Sequence, residues 1–276
     1  MPTRYRFHGQ AIGAGGRINH PFQEFIEIQA AAALPQIGGH GSAQSRNFHY
    51  RDILRFRQAH SEVTGSRTEG PNGKPIHKTL IQSRVEGVDI MGMVTADRVE
   101  VRLVSFTDDD PDGEPCFKFT GSYFENLKVA GVPVKVHLCV DVFDRLYKHK
   151  HLVKSYEDKD KGEFRQLFDH LTLKGTLKNA PERVQKGFQQ APNNNGGLPH
   201  ISGMTCLSLV KRLEPERDEF KCWGHIIYIE GFGTIHLAEL TVSKLLRRIT
   251  MIRVNLGSPT DGDIEVGTAE GNGSPY

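Results

Sequence analysis

The sequence predicts an all-β protein: an antiparallel β-sandwich-like or barrel-like single domain spanning 1–276, with a short helical insertion at about 141–171. Three observations carry this expectation. Apolar residues recur at every second position through most of the chain, the period at which one face of a strand is buried. Gly, Pro, Asn and Asp cluster between those runs, as in PNGKP, DDDPDGEP, PNNNGG and SPTDGD, where tight turns need them. Helical spacing does not alternate with strand spacing, which argues against a parallel α/β sheet.

Residues 4–12 alternate, and 24–34 carry Phe25, Ile26 and Ile28 before a run of alanines. Between them, Gly13-Ala14-Gly15-Gly16 reads as a hairpin turn and not as a phosphate-cradling loop, because no helix follows to present its N-terminal amides. Gly38-Gly39-His40-Gly41 reads the same way. Residues 78–106 hold two or three strands, with Val99, Val101 and Leu103 on one face and Arg98, Glu100 and Arg102 on the other. Two more runs meet at a bend at Ala130-Gly131. Helical spacing then appears in 141–157, through Val142, Leu146 and Val153, with Asp141 as expected N-cap and Asp144 reaching back. A second piece, 162–171, places Phe164, Leu167, Phe168 and Leu171 on one face, and 178–197 reads as polar loop. The strands 234–242 and 247–256 are expected at the centre of the fold. Gly271, Gly273 and Pro275 are poor strand material, so 267–276 is expected to be a peripheral tail.

Lys plus Arg total 35 against 33 for Asp plus Glu, a net charge of +2. That balance argues against nucleic acid as a partner, although Lys244, Arg247, Arg248 and Arg253 form a local basic group. Mean hydropathy is −0.44, and no run approaches the roughly 18 apolar residues of a membrane span. The N-terminus has no apolar signal segment, so a cytoplasmic location is expected, with signal-independent export left open. Cys116, Cys139, Cys206 and Cys222 contain no closely spaced pair, which fits buried thiols better than a zinc site.

Asp108, Asp110 and Asp112, followed by Gly113, are the metal candidate, because they match the first half of a calcium loop. The residue at loop position twelve is Phe119 and not the bidentate Glu, so an acidic hairpin tip is the favoured reading. His149 and His151 point apart on a helix and read as part of a solvated basic face. His8, His225 and His236 read as strand histidines, and Asp97, Glu100, Glu230 and Glu239 as carboxylates available for paired acid–base work. No catalytic residue and no cofactor other than calcium is assigned.

VTADRVEVRL (94–103), TGSYFENLKVAGVPVKV (120–136) and the segment from GTIHLAELTV to GDIEVGTAEGNG (233–273) together resemble bacterial choice-of-anchor-type all-β modules. The resemblance implies a β-rich structural or adhesive module without assigned chemistry. The function expected is therefore a non-enzymatic structural, self-associating or partner-binding module, with a homo-oligomer or protein partner. The alternative is a β-sandwich hydrolase or carbohydrate-binding protein with a carboxylate or calcium site.

Overall fold

The structure, a computed structural model, describes residues 5–70, 73–107, 113–158, 180–189, 205–257 and 259–275. The chain opens with β1 (Tyr5–His20), β2 (Glu24–Gln29), β3 (Ala32–Ala33) and β4 (Gly39–Tyr50). Long strands follow: β5 (Leu54–Glu69), β6 (Pro75–Ile90) and β7 (Val94–Phe106). Shorter ones succeed them: β8 (Cys116–Lys118), β9 (Tyr123–Glu125), β10 (Lys128–Val129) and β11 (Val132–Leu138). The helices are α1 (Val140–Arg145), α2 (His149–Glu157) and α3 (Glu182–Gln189). The last third holds β12 (Thr205–Ser208), β13 (Val210–Pro215), β14 (Lys221–Trp223), β15 (Ile226–Ile229), β16 (Gly233–Val242), β17 (Leu246–Leu256) and β18 (Asp261–Pro275).

These strands make two antiparallel sheets. One runs β14-β15-β16-β17-β18-β1-β2, with β12 on β16 and β3 on β1; the other runs β13-β11-β10-β7-β6-β5-β4, with β8 and β9 on β7. Each ends in its own edge strands, so the fold is a sandwich and not a closed barrel. The inner faces meet where β1 packs on β5 and β6, and β18 on β6 and β7. One cluster of buried side chains extends from Phe7 to Ala269.

The alternation predicted from the sequence is present, but it changes phase. In β7 the buried apolar positions are Val94 and Ala96, then Val99, Val101 and Leu103. In β5 they are Leu54 and Phe56, then Ala59, Ser61 and Val63; in β6, Ile81, Ser83 and Val85, then Val88 and Ile90. The break lies where the pairing skips one level, Asn47 opposite Arg57 and Gly87 opposite Asp97, with the register kept on both sides. The first sheet breaks in the same way at Gly13, Gly267, Met251 and Ala238. Both sheets are therefore creased, and on every second strand the skipped residue is left-handed: Asn47 (φ 51), Gly87 (φ 66), Ala238 (φ 47) and Gly267 (φ 67). A one-sided bulge would shift the register; here both partners give up the same number of residues, one in most ladders and two between β5 and β6, and the faces exchange.

The two creases touch. A Cβ placed on Gly13 would lie 2.8 Å from the Ala59 Cβ and 3.1 Å from the Ala30 Cβ. Gly13 to Gly16 are thus the interior of a 16-residue strand and not a turn; glycine is there because another element approaches closely. Gly38-Gly39-His40-Gly41 is a turn only at its start, since β4 begins at Gly39.

The expected peripheral tail at 267–276 is also corrected. β18 pairs with β1 from Asp261↔His20 to Pro275↔Tyr5 and with β17 from Gly262↔Leu256 to Asn272↔Leu246. Gly9 and Gly271 face each other in that ladder, and both lie against Ile81. Their missing side chains make room for Ile81 and Leu103 between the sheets, so the glycines that counted against a strand are what packing requires there.

Helices α1 and α2 lie in the expected insertion, whereas 162–171 falls outside the described residues. α3 occupies part of the stretch read as loop. Asp141 does not cap α1, whose N-cap is Cys139. Asp144 instead accepts hydrogen bonds from the Phe119 backbone N–H (2.6 Å) and the Thr120 hydroxyl. Lys148 and His149, expected on a solvated face, are buried.

Two outcomes follow. Replacing Gly13 by Val pushes a branched side chain against Ala59 and Ala30, and chemical denaturation should show a loss of about 1–3 kcal/mol or more. Trimming the chain after residue 266 removes more than half of β18, including Thr268 to Asn272 that pair on both sides, so circular dichroism and thermal melting should find no cooperatively folded protein.

Candidate functional site

The outer face of the first sheet carries a buried polar cluster at the crease. Period two alone would put residue 238 on the same face as His236. The phase change at Ala238 turns Glu239 onto that face instead, and His236 Nδ1 lies 2.9 Å from Glu239 Oε1. His225 comes from the Gly224-His225 turn that joins β14 to β15, and its Nε2 is 3.5 Å from the same oxygen. Arg253 arrives from β17, opposite His236 in the ladder. Its Nε donates to Glu239 Oε2 (2.6 Å) and its Nη2 to Oε1 (2.8 Å).

Further groups orient the ring. Thr234 Oγ1 is 3.1 Å and Asn255 Nδ2 3.4 Å from His236 Nε2, and Asn255 Oδ1 accepts from Arg253 Nη1 at 2.7 Å. The coherent assignment has His236 neutral, Nδ1–H donating to Glu239 and Nε2 accepting from Thr234 and Asn255. The neighbouring apolar cover is Ala180 and Val184, from α3 and its approach, packed on Ile226 with Trp223 and Tyr228.

Charge is distributed accordingly. Burial pushes the His236 imidazole down to about 4, outweighing the attraction of Glu239. Burial alone would raise the Glu239 carboxyl, but His236, His225 and Arg253 together hold it well below the usual range. The cluster is therefore a carboxylate–guanidinium pair with neutral imidazole beside it. Chemically, two imidazole nitrogens and one carboxylate oxygen converge here within 4.8 Å of one another, a donor set able to ligate a metal ion or relay a proton.

A second buried charged group sits between the sheets. Arg247 lies with its guanidinium carbon 4.6 Å over the Phe117 ring and donates to the carbonyls of Ser243 and Leu246. Burial lowers its pKa to about 9, with Glu114 opposing, and Glu114 accepts the His149 backbone N–H. Arg248 meets Glu265 at 2.7 Å. Three members of the basic group read from the sequence, Arg247, Arg248 and Arg253, are thus engaged within the fold.

The outer face of the second sheet carries a groove of about 450 Å³ along its own crease, lined by Asn47, Phe48, His49, Arg55, Arg57, Asp89 and Asp97 among others. Arg55 Nη2 meets Asp89 at 2.6 Å.

Of the carboxylates singled out by sequence, only Glu239 joins the histidines. Glu100 is buried among Gln82, Arg84 and Tyr123, Asp97 accepts from Asn126 at 2.6 Å, and Glu230 is exposed in a turn. His8 meets Glu270 at 3.2 Å, away from the cluster. Asp108, Asp110 and Asp112 fall outside the described residues. Arg253, Thr234 and Asn255 were not connected to His236 by sequence; their signal is the strand register, which places them beside it only after pairing.

The fold and this cluster define an all-β sandwich with a buried polar network on one outer face. The chain belongs to the family described as "Domain of unknown function (DUF8256)", whose model matches residues 5–243. No curated protein matches it, and no solved structure matches it.

The neutral His236 makes stability pH-dependent. Its folded pKa lies below its unfolded value of about 6.5, so the unfolded chain binds more protons between those limits. Its contribution is complete above about pH 6.5 and is lost as the pH falls toward 4, by about 3 kcal/mol. Denaturant titrations at pH 7 and pH 5 should show about 2 kcal/mol of that fall, and His236→Gln, less stable at pH 7, should show a smaller one.

Proposed function

We propose that the protein is a non-enzymatic, self-associating β-sandwich module, and that its contact surface is the β2 edge of the first sheet. One observation supports this reading most. β2 ends the sheet among the described residues, and Phe25 and Ile28 stand 80% and 61% exposed on it. Ile28 lies over Gly15 and Phe25 pairs opposite Arg17, so both occupy the outer face, beside an open strand edge. Phe22, also exposed, continues the apolar surface at the end of the strand, where Arg51 stacks on it at 5.3 Å. Monomeric proteins commonly blunt such an edge with charge, proline or a covering element; a second copy that adds strand and apolar contacts would satisfy it. The resemblance to choice-of-anchor-type modules fits the same reading. No long apolar helix able to cross a membrane exists among the described residues.

The runner-up is a carbohydrate-binding or hydrolytic sandwich, and the groove on the second sheet favours it, because Asp89 and Asp97 line it beside Phe48. The readings separate in solution. Light scattering across a concentration series should find an oligomer. Phe25→Glu combined with Ile28→Lys should yield monomer with a melting temperature within a few degrees of the parent. A parent that stays monomeric at high concentration, with an oligosaccharide bound and then lost on Asp97→Asn, would transfer the function to the groove.

A further inference from the structure

We propose that His225, His236 and Glu239 form a binding site for one divalent transition-metal ion of the zinc type. This goes beyond the self-association reading and does not depend on it. The ligand atoms that face one another are His225 Nε2, His236 Nδ1 and Glu239 Oε1. Glu239 Oε1 lies 2.9 Å from His236 Nδ1 and 3.5 Å from His225 Nε2. A tetrahedron with metal–ligand bonds of about 2.0–2.1 Å has edges of about 3.3 Å, so the carboxylate already stands near that separation from each imidazole, and the ligand atoms of the group all lie within 4.8 Å of one another. Two imidazoles and a carboxylate suit zinc, while calcium would ask for six or more oxygens.

The surroundings are those of a supported ligand set. Thr234 Oγ1 at 3.1 Å from His236 Nε2 can accept the ring's remaining proton, which leaves Nδ1 free to ligate; a shift of tautomer accomplishes this with no net change in protons. Arg253 grips Glu239 Oε2 at 2.6 Å and Oε1 at 2.8 Å, the outer-shell hydrogen bonding that fixes a ligating carboxylate. Its Nη2 also lies 3.1 Å from His236 Nδ1, so ion entry moves Nη2 off Oε1 while Nε keeps Oε2. The left-handed Ala238, at φ 47, is what brings Glu239 to this face. Such a conformation is costly for a residue with a Cβ and persists where the surrounding structure holds it.

The test uses the full chain, stripped with a chelator and titrated with Co²⁺ and then Zn²⁺. The expected result is one Co²⁺ per chain with the intense visible bands of a four-coordinate ion, displaced by Zn²⁺, together with a higher melting temperature in zinc. His225→Ala and Glu239→Gln should each weaken binding at least a hundredfold, and Thr234→Val about 10–100-fold. If Glu239→Gln fails to fold by circular dichroism, His225→Ala, altered at a turn and not within a strand, decides the matter. Absence of visible bands together with no retained zinc in the parent protein overturns the proposal. So does undiminished binding by a folded His225→Ala variant.

Discussion

Both sheets bend along one line, and the rest of the molecule is arranged around that bend. A strand twelve to sixteen residues long cannot stay flat and keep its apolar face on a partner sheet, because strands twist. Here the ladders give up one residue pair, or two between β5 and β6, at the same level, and every second strand supplies a left-handed residue there. The inner faces then exchange phase together, so burial stays continuous across the break. Gly13 against Ala59, and Gly267 beside Val99, are where the two creases close on each other.

The same bend creates the polar cluster. Without the phase change at Ala238, Glu239 would point into the apolar interior and His236 would face another side chain. With it, the carboxylate meets two imidazoles and Arg253 on one outer face. A buried carboxylate of this kind is tolerable only because its charge is matched and its lone pairs are filled. In the interior, Glu114 offsets part of the cost of burying Arg247, whose guanidinium also stacks on Phe117.

Closure of the chain is the second architectural fact. The first and last strands are neighbours in the middle of a sheet, paired from His20↔Asp261 to Tyr5↔Pro275. The contact joins residues 5–20 to 261–275, which makes its loop-closure cost among the largest in the fold. It also explains why small residues accumulate at both ends: Gly9 and Gly271 leave the space that Ile81 and Leu103 fill. The exposed apolar residues of β2 lie just outside this pairing, at the margin where the sheet stops.

What the amino-acid sequence determined alone is the class of fold and the position of most strands, because period two and turn chemistry are local properties. Val99, Val101 and Leu103 are legible as one buried face, and 234–242 as a central strand. Even the crease left a trace, in three-residue gaps such as Ala96 to Val99 and Leu237 to Leu240. Reading those gaps as a shared bend requires knowing which strands are neighbours, and pairing is a long-range property. Glycines show the same limit. Gly13 looks like a turn residue and Gly271 like poor strand material one strand at a time, and both become packing residues only when a second sheet presses on them. The histidines and Glu239 were visible singly, but register, burial and the turn at Ala238 decided that they meet.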